Sequence, residues 1–269
     1  MHHQSHVARL LASVALTAIM ASGLGGCQTM SDITGSLSQK PPASADTDPR
    51  GAVEVSGERY RADPRNAEAA LAYGQALRAN GQRSQAAALL EQATIAHPGD
   101  KALLAAYGRA LVDNGNFQQA LDVLSRAHSP ENPDWRILSV QGTALDQLGR
   151  HDEARRYYAS ALKIMPDEPT VLSNLGLSYM LSKNLPKAEE ALRQAYASGK
   201  ADARVRQNLA LVVGLQGRFA EAEQIVRADL PPNEAAANVE YLKQMLSRKD
   251  DPHLGGRGKM PVATLSRPE

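Results

Sequence analysis

His151-Asp152-Glu153 is the densest set of proton-transfer groups in the chain, and Arg155-Arg156 shortly after it is a candidate phosphate clamp. Both sets also have a plainer reading. A turn followed by a first helical turn places Asp152 and Glu153 where carboxylates complement the helix dipole, and two arginines on an outer helix are ordinarily a solvated face. His97 and His128 fall near expected helix ends, where an imidazole meets terminal carbonyls, so they and His151 are read as structural. No GxSxG, GxxxxGK, GxGxxG or HExxH pattern occurs, and each of those patterns reflects a geometry that its reaction needs. The single cysteine, Cys27, excludes an intramolecular disulfide and a cysteine-cluster metal site. The expectation is a non-enzyme with no catalytic residue, no metal, no cofactor and no small-molecule substrate.

The elements that carry these residues follow from composition. Lys+Arg 30 against Asp+Glu 29 leaves a formal charge of +1, too little for a field that holds a nucleic acid. Hydrophobic residues make up 43% of the 269 positions but aromatics only 4%, which suits closely packed alanine-rich helices better than strands. An all-α chain is expected.

The first residues read as a leader. Met1 to Arg9 carries the amino terminus and an arginine, Leu10 to Met20 is apolar apart from Ser13 and Thr17, and Ala21 to Gly26 is small and flexible. The apolar run is shorter than the roughly 20 residues of a spanning helix. Leu24-Gly25-Gly26-Cys27 resembles the bacterial lipobox, which implies cleavage of residues 1–26 and lipidation of Cys27. His2, His3 and His6 then fall in the discarded segment and form no metal site. Residues 27–50 are rich in Ser, Thr, Asp, Pro and Gly without hydrophobic period, which describes a lipidated tether with an end-to-end distance of about 26 Å. In the lipoproteins this segment resembles, a polar residue such as Gln28 after the cysteine accompanies sorting to the outer membrane.

From residue 67 the chain repeats with a step of 34 residues: 67–100, 101–134, 135–168, 169–202 and 203–236. Position 8 is Gly74, Gly108, Gly142, Gly176 and Ala210, and position 20 is alanine in every unit, at Ala86, Ala120, Ala154, Ala188 and Ala222. Small residues at both places let two antiparallel helices approach closely. Position 15 is Gly81, Gly115, Gly149 and Gly217, suited to ending the first helix of each hairpin, with Lys183 as the exception. Position 24 is Leu90, Leu124, Tyr158, Leu192 and Val226, and position 27 is Ala93, Ala127, Ala161 and Ala195, read as contacts that stack adjacent units. Pro64 matches the proline near position 32 of later units, so a half repeat is expected over 51–66. Pro231-Pro232-Asn233 precedes a one-faced apolar pattern over 234–248, read as a capping helix, and 249–269 has no core-forming pattern and is expected to be a disordered tail.

These positions resemble the tetratricopeptide repeat, which implies an α-solenoid, a right-handed superhelix of helical hairpins. In that family's usual geometry positions 2, 5, 9, 12 and 13 line a concave groove. The first three units place Glu68, Gln75, Arg78, Arg109, Asp113, Arg136, Ser139, Thr143, Asp146 and Gln147 there, whereas the last two place Leu177, Met180, Leu181, Leu211 and Leu215 beside Arg204 and Gln207. Either a partner protein covers these apolar residues or the chain's own capping helix or next hairpin does. Leu71, Gln75, Ala105 and Arg109 at positions 5 and 9 do not make the carboxylate clamp of the chaperone-binding branch.

Asn174-Leu175-Gly176-Leu177 and the run from Arg204 to Glu223 resemble the tight adherence (Tad) pilus-assembly lipoproteins of TadD type. That resemblance implies a non-enzymatic, lipid-anchored outer-membrane scaffold facing the periplasm, serving a Flp-type pilus and partnered by a secretin or other pilus-assembly subunit. A general envelope adaptor for outer-membrane protein or cell-wall enzyme assembly is the alternative.

Overall fold

The structure, a computed structural model, describes residues 49–249. The leader, Cys27, the tether up to residue 48 and the tail from residue 250 lie outside the described residues. The described residues form α1 (Pro49–Ala62), α2 (Ala67–Ala79), α3 (Arg83–Ala96), α4 (Lys101–Asp113), α5 (Phe117–Ala127) and α6 (Trp135–Gln147). There follow α7 (His151–Ile164), α8 (Pro169–Leu181), α9 (Leu185–Ala197), α10 (Ala203–Leu215), α11 (Phe219–Val226) and α12 (Pro232–Lys249). No strand occurs among the described residues beyond one isolated bridge, Ser129 to Asn132. Helix α1 opens at Pro49, inside the stretch expected to be tether, because proline is tolerated in a first turn.

Local chemistry sets where each hairpin starts and turns. The residue before each repeat is Asn66, Asp100, Asp134, Glu168 or Asp202, and all but Glu168 accept a backbone N–H of the first turn through the side chain. Glu168 is followed instead by Pro169, whose missing N–H removes one donor that needs a cap. Each first helix ends in the same Schellman closure, in which Gln82, Asn116, Arg150, Asn184 and Arg218 donate their N–H to Leu77, Leu111, Leu145, Tyr179 and Val213 carbonyls. The closure needs a left-handed residue. Glycine supplies it in four units, and in the fourth Lys183 adopts φ +61° without glycine's freedom.

Within each hairpin the plug at position 24 closes onto the small residue at position 8 of its own unit, rather than reaching only for the next one. A Cβ placed on Gly74, Gly108, Gly142 or Gly176 would lie 2.4–2.6 Å from Leu90, Leu124, Tyr158 or Leu192, so only glycine admits those side chains. The fifth unit changes both positions together, to Ala210 and the shorter Val226, both buried in one apolar cluster.

Each first helix packs on the next first helix, in the order α2, α4, α6, α8, α10, α12, while among the described residues the backbones of the second helices α3, α5, α7, α9 and α11 stand further apart, α9 reaching α11 through the Arg193–Glu221 ion pair. A stack with one row in contact and the other splayed curves with the first helices inside. The concave row is therefore built from α2, α4, α6, α8, α10 and α12.

The fifth unit breaks the pattern in a way that shapes its end. Position 4 is apolar in the other units, at Ala70, Leu104, Leu138 and Leu172, all buried. Here it is Arg206, and position 27, elsewhere alanine, is Asp229. The two form a bidentate pair, with Arg206 Nε to Asp229 Oδ2 at 2.7 Å and Nη2 to Oδ1 at 2.5 Å. The second helix α11 stops at Val226, Pro231 and Pro232 follow, and α12 begins before a sixth unit would have started at residue 237. Helix α12 packs on both α10 and α11, the relation every first helix has to the hairpin before it. The capping helix thus occupies a first-helix place.

Candidate functional site

The register of α12 decides what happens to the apolar end of the groove. Ala235 and Val239 are buried, and Leu242 lies over Gly214, where an added Cβ would be 2.4 Å from Leu242 Cδ2. Ala235, Val239 and Leu242 hence correspond to Val205, Leu209 and Val212 of α10 and to Val171, Leu175 and Ser178 of α8. Helical spacing then sets Leu177, Leu211 and Tyr241 in one row and Leu181, Leu215 and Met245 in the next. Leu181 is 48% exposed, Leu211 36%, Tyr241 59% and Met245 41%, so the last helix lengthens an apolar strip and leaves these leucines open. Tyr241 and Met245 were not legible as site residues by their place in the 34-residue step. The signal that finds them is the recurring run Asn174-Leu175-Gly176-Leu177, Asn208-Leu209-Ala210-Leu211, Asn238-Val239-Glu240-Tyr241, each with an apolar residue four positions later.

The remaining expected groove residues divide. Met180 and Leu215 are half-buried, and Met180 packs against the core cluster around Leu209 and Val213, so it belongs more to the hairpin junction than to an open surface. Leu177 lines a shallow cleft of about 260 Å³ with Ser173, Asn174, Lys200, Arg204 and Asn208. Arg204 is exposed and Gln207 half-buried at the rim of the strip. Asn174 Nδ2 donates to Ser139 Oγ at 3.2 Å and Asn208 Nδ2 to Ser173 Oγ at 2.9 Å, ties that hold neighbouring first helices at a fixed distance.

The groups that suggested chemistry are each engaged with the chain itself. His97 Nε2 meets the Arg65 carbonyl at 2.8 Å, and His128 Nε2 meets Gln141 Oε1 at 3.2 Å. His151 Nδ1 lies 2.8 Å from Oδ1 of the buried Asp146, which also accepts Ser178 Oγ–H at 2.7 Å, while Asp146 Oδ2 accepts the Tyr158 hydroxyl at 2.9 Å. Burial, then the Asp146 charge, pushes the Tyr158 phenol far up. Asp146 was expected in the groove and is instead the centre of a polar junction between the third and fourth units. Glu153 pairs with Arg150 at 2.8 Å, and Asp152 pairs with Arg155. Arg155 is not a solvated residue. Its guanidinium reaches Ser182 Oγ at 2.8 Å and stacks 5.0 Å above the Tyr179 ring, whereas Arg156 is exposed. Among the described residues no group of His, Cys, Asp and Glu could hold a metal, and no helix is long and apolar enough to cross a membrane.

Comparison with known proteins agrees with this architecture. One family model described as tetratricopeptide repeat matches residues 77–141, and a second of the same description matches 139–203 and 173–235. No curated protein matches the sequence. Among crystal structures, the Cut9-Hcn1 hetero-tetramer of the APC/C is 18% identical with a TM-score of 0.62, covering 77% of this chain, which spans 41% of that one. PilW, described as a widely conserved type IV pilus biogenesis factor, is 19% identical with a TM-score of 0.63, covering 72% of this chain and 91% of its own. TTC0263, a thermophilic TPR protein of Thermus thermophilus, is 23% identical with a TM-score of 0.56, covering 68% and 98%. At these identities the likeness is one of fold. With the recurring hairpin, its Schellman closures and the matched models together spanning residues 77–235, the chain belongs to the tetratricopeptide-repeat family, whose domains mediate protein–protein interaction.

Proposed function

We propose that the protein is a lipid-anchored outer-membrane scaffold, facing the periplasm, that assists assembly of a tight adherence (Flp-type) pilus. It holds a segment of the secretin or of another pilus-assembly subunit on the inner face of α8, α10 and α12. The observation that carries this reading is the apolar strip in which Leu181, Leu211, Tyr241 and Met245 are exposed beside the half-buried Leu177 and Leu215, rimmed by Arg204 and Gln207. A shallow apolar strip suits another polypeptide, because a small substrate needs a deep enclosure that buries most of its surface.

The leader and Cys27 support the anchor, since two or more acyl chains give durable attachment where one does not. A tether raises the local concentration of the repeat domain at the membrane, so capture there does not require tight intrinsic affinity. The TadD-like run from Arg204 to Glu223 and the fold shared with PilW support the pilus assignment.

A photo-crosslinking residue at position 211 in living cells tests the groove. The expected product is an adduct with a secretin or another pilus-assembly subunit, lost when Leu181→Glu is added. Adducts confined to outer-membrane insertion proteins or cell-wall enzymes would overturn the pilus role. Cys27→Ser is expected to move the protein from the membrane to the soluble fraction, and retention in the membrane would overturn lipid anchoring.

A further inference from the structure

The row that ends in Leu177, Leu211 and Tyr241 begins differently. Its earlier members are Gln75, Arg109 and Thr143, so one guanidinium stands in the same line as the apolar strip, two units before it. Arg109 is half-buried on α4, and among the described residues no carboxylate lies within ion-pairing distance of it. The charged groups around it are Arg78, Arg136 and Asp134. Arg78 is already committed, with Nε 2.7 Å from Asp113 Oδ2. The Arg136 guanidinium lies 4.5 Å above the Trp135 ring. Asp134 spends one carboxylate oxygen on the Arg136 N–H at 2.7 Å, as the cap of α6. Burial and repulsion from Arg78 and Arg136 both hold the Arg109 guanidinium below its ordinary range, with Asp134 opposing them in part. An arginine in that position gains from an anion brought from outside, and its planar fork suits a carboxylate.

We propose that the segment held on the inner face is acidic as well as apolar: an Asp or Glu side chain pairs with Arg109 and Arg136 while apolar side chains two units further along lie on Leu177, Leu211 and Tyr241. The inference rests on the groove reading of the preceding section and adds to it the charge and order of the bound chain. The polypeptide passes Thr143 between the two subsites. A like-charged or purely apolar segment would leave Arg109 desolvated and unpaired, so the site selects against it.

The full chain is panned against a displayed library of random peptides, and recovered peptides are synthesised and measured by fluorescence polarisation. The expected sequences carry Asp or Glu at a constant distance from an apolar cluster. Arg109→Gln, or Arg136→Gln where the first variant loses helicity, is expected to weaken such a peptide about tenfold and to flatten its salt dependence. Recovered peptides with no acidic preference, bound equally by Arg109→Gln, overturn the arginine subsite and leave the groove standing. Peptides whose binding is indifferent to Leu211→Glu overturn the groove and the subsite together.

Discussion

The Tyr158 hydroxyl donates a 2.9 Å hydrogen bond to Oδ2 of Asp146, and the two side chains meet where a leucine stands at position 24 in three of the other four units. Asp146 Oδ1 takes a second hydroxyl, that of Ser178 on the next hairpin, so one buried carboxylate joins the third unit to the fourth. Asp146→Ala strands two buried hydroxyl donors and is expected to cost about 2–4 kcal/mol in urea unfolding. Tyr158→Phe removes one donor and keeps the ring, for about 1 kcal/mol. Equal losses from the two variants would show that the hydroxyls find other partners.

Gly108→Ala is expected to destabilise the protein by about 1–3 kcal/mol, because the new Cβ would sit 2.4 Å from the Leu124 side chain. Leu124→Val in the same chain copies the Ala210 and Val226 pair of the fifth unit, and part of the loss should return. A double-mutant cycle over thermal melts reads the coupling, and simple additivity of the two losses would count against the steric account.

Lys183 takes the left-handed conformation that glycine takes at Gly81, Gly115, Gly149 and Gly217. Lys183→Gly therefore relieves backbone strain and is expected to stabilise the fold by about 1 kcal/mol, after the entropy glycine adds to the unfolded chain. A lower melting midpoint for the variant would refute this.

Glu189 ties the fourth unit to the fifth through Arg218 and through Gln216 at 2.8 Å, and within its own helix it accepts from Arg193 at 2.7 Å. The Arg218 hydrogen bond, followed by those of Gln216 and Arg193, holds its carboxyl at about 2 instead of 4.5. A depressed folded value means that this stabilisation is complete above pH 4.5 and is lost as pH falls from there toward 2. Glu189→Gln should lower stability at neutral pH, where these hydrogen bonds to the carboxylate are intact, and flatten the acid side of the profile, so that parent and variant converge as pH falls toward 2. An unchanged acid slope in the variant would assign the acid sensitivity elsewhere.

Much of the architecture was legible because it rests on contacts between near neighbours. The turn glycines and the small residues at positions 8 and 20 are visible as types at fixed spacing, whereas the caps at Asn66, Asp100, Asp134 and Asp202 and the closure of position 24 onto position 8 of its own unit came with the structure. The groove was legible only in part. The spacing placed Leu177, Leu181, Leu211, Leu215 and Met180 on the inner side alike, yet Met180 packs into the junction and Leu181 and Leu211 stay open. Position along a helix gives a direction, while exposure depends on what the neighbouring helices bring there. Arg155 shows the same gap, reading as a surface arginine until Tyr179 and Ser182 of the next hairpin close on it.

The one-dimensional pattern by itself determined a row of helical hairpins, where each begins, and which residues let its two helices touch, since those outcomes depend on interactions within a single repeat. Tertiary structure alone decided the end of the row. The Arg206–Asp229 pair, the short α11 and the prolines after it advance α12 out of the 34-residue phase, and only its seating of Leu242 against Gly214 turns Tyr241 and Met245 toward the open strip. A helix face is chosen by the hairpin it packs on, and that choice is not written in the helix that is turned.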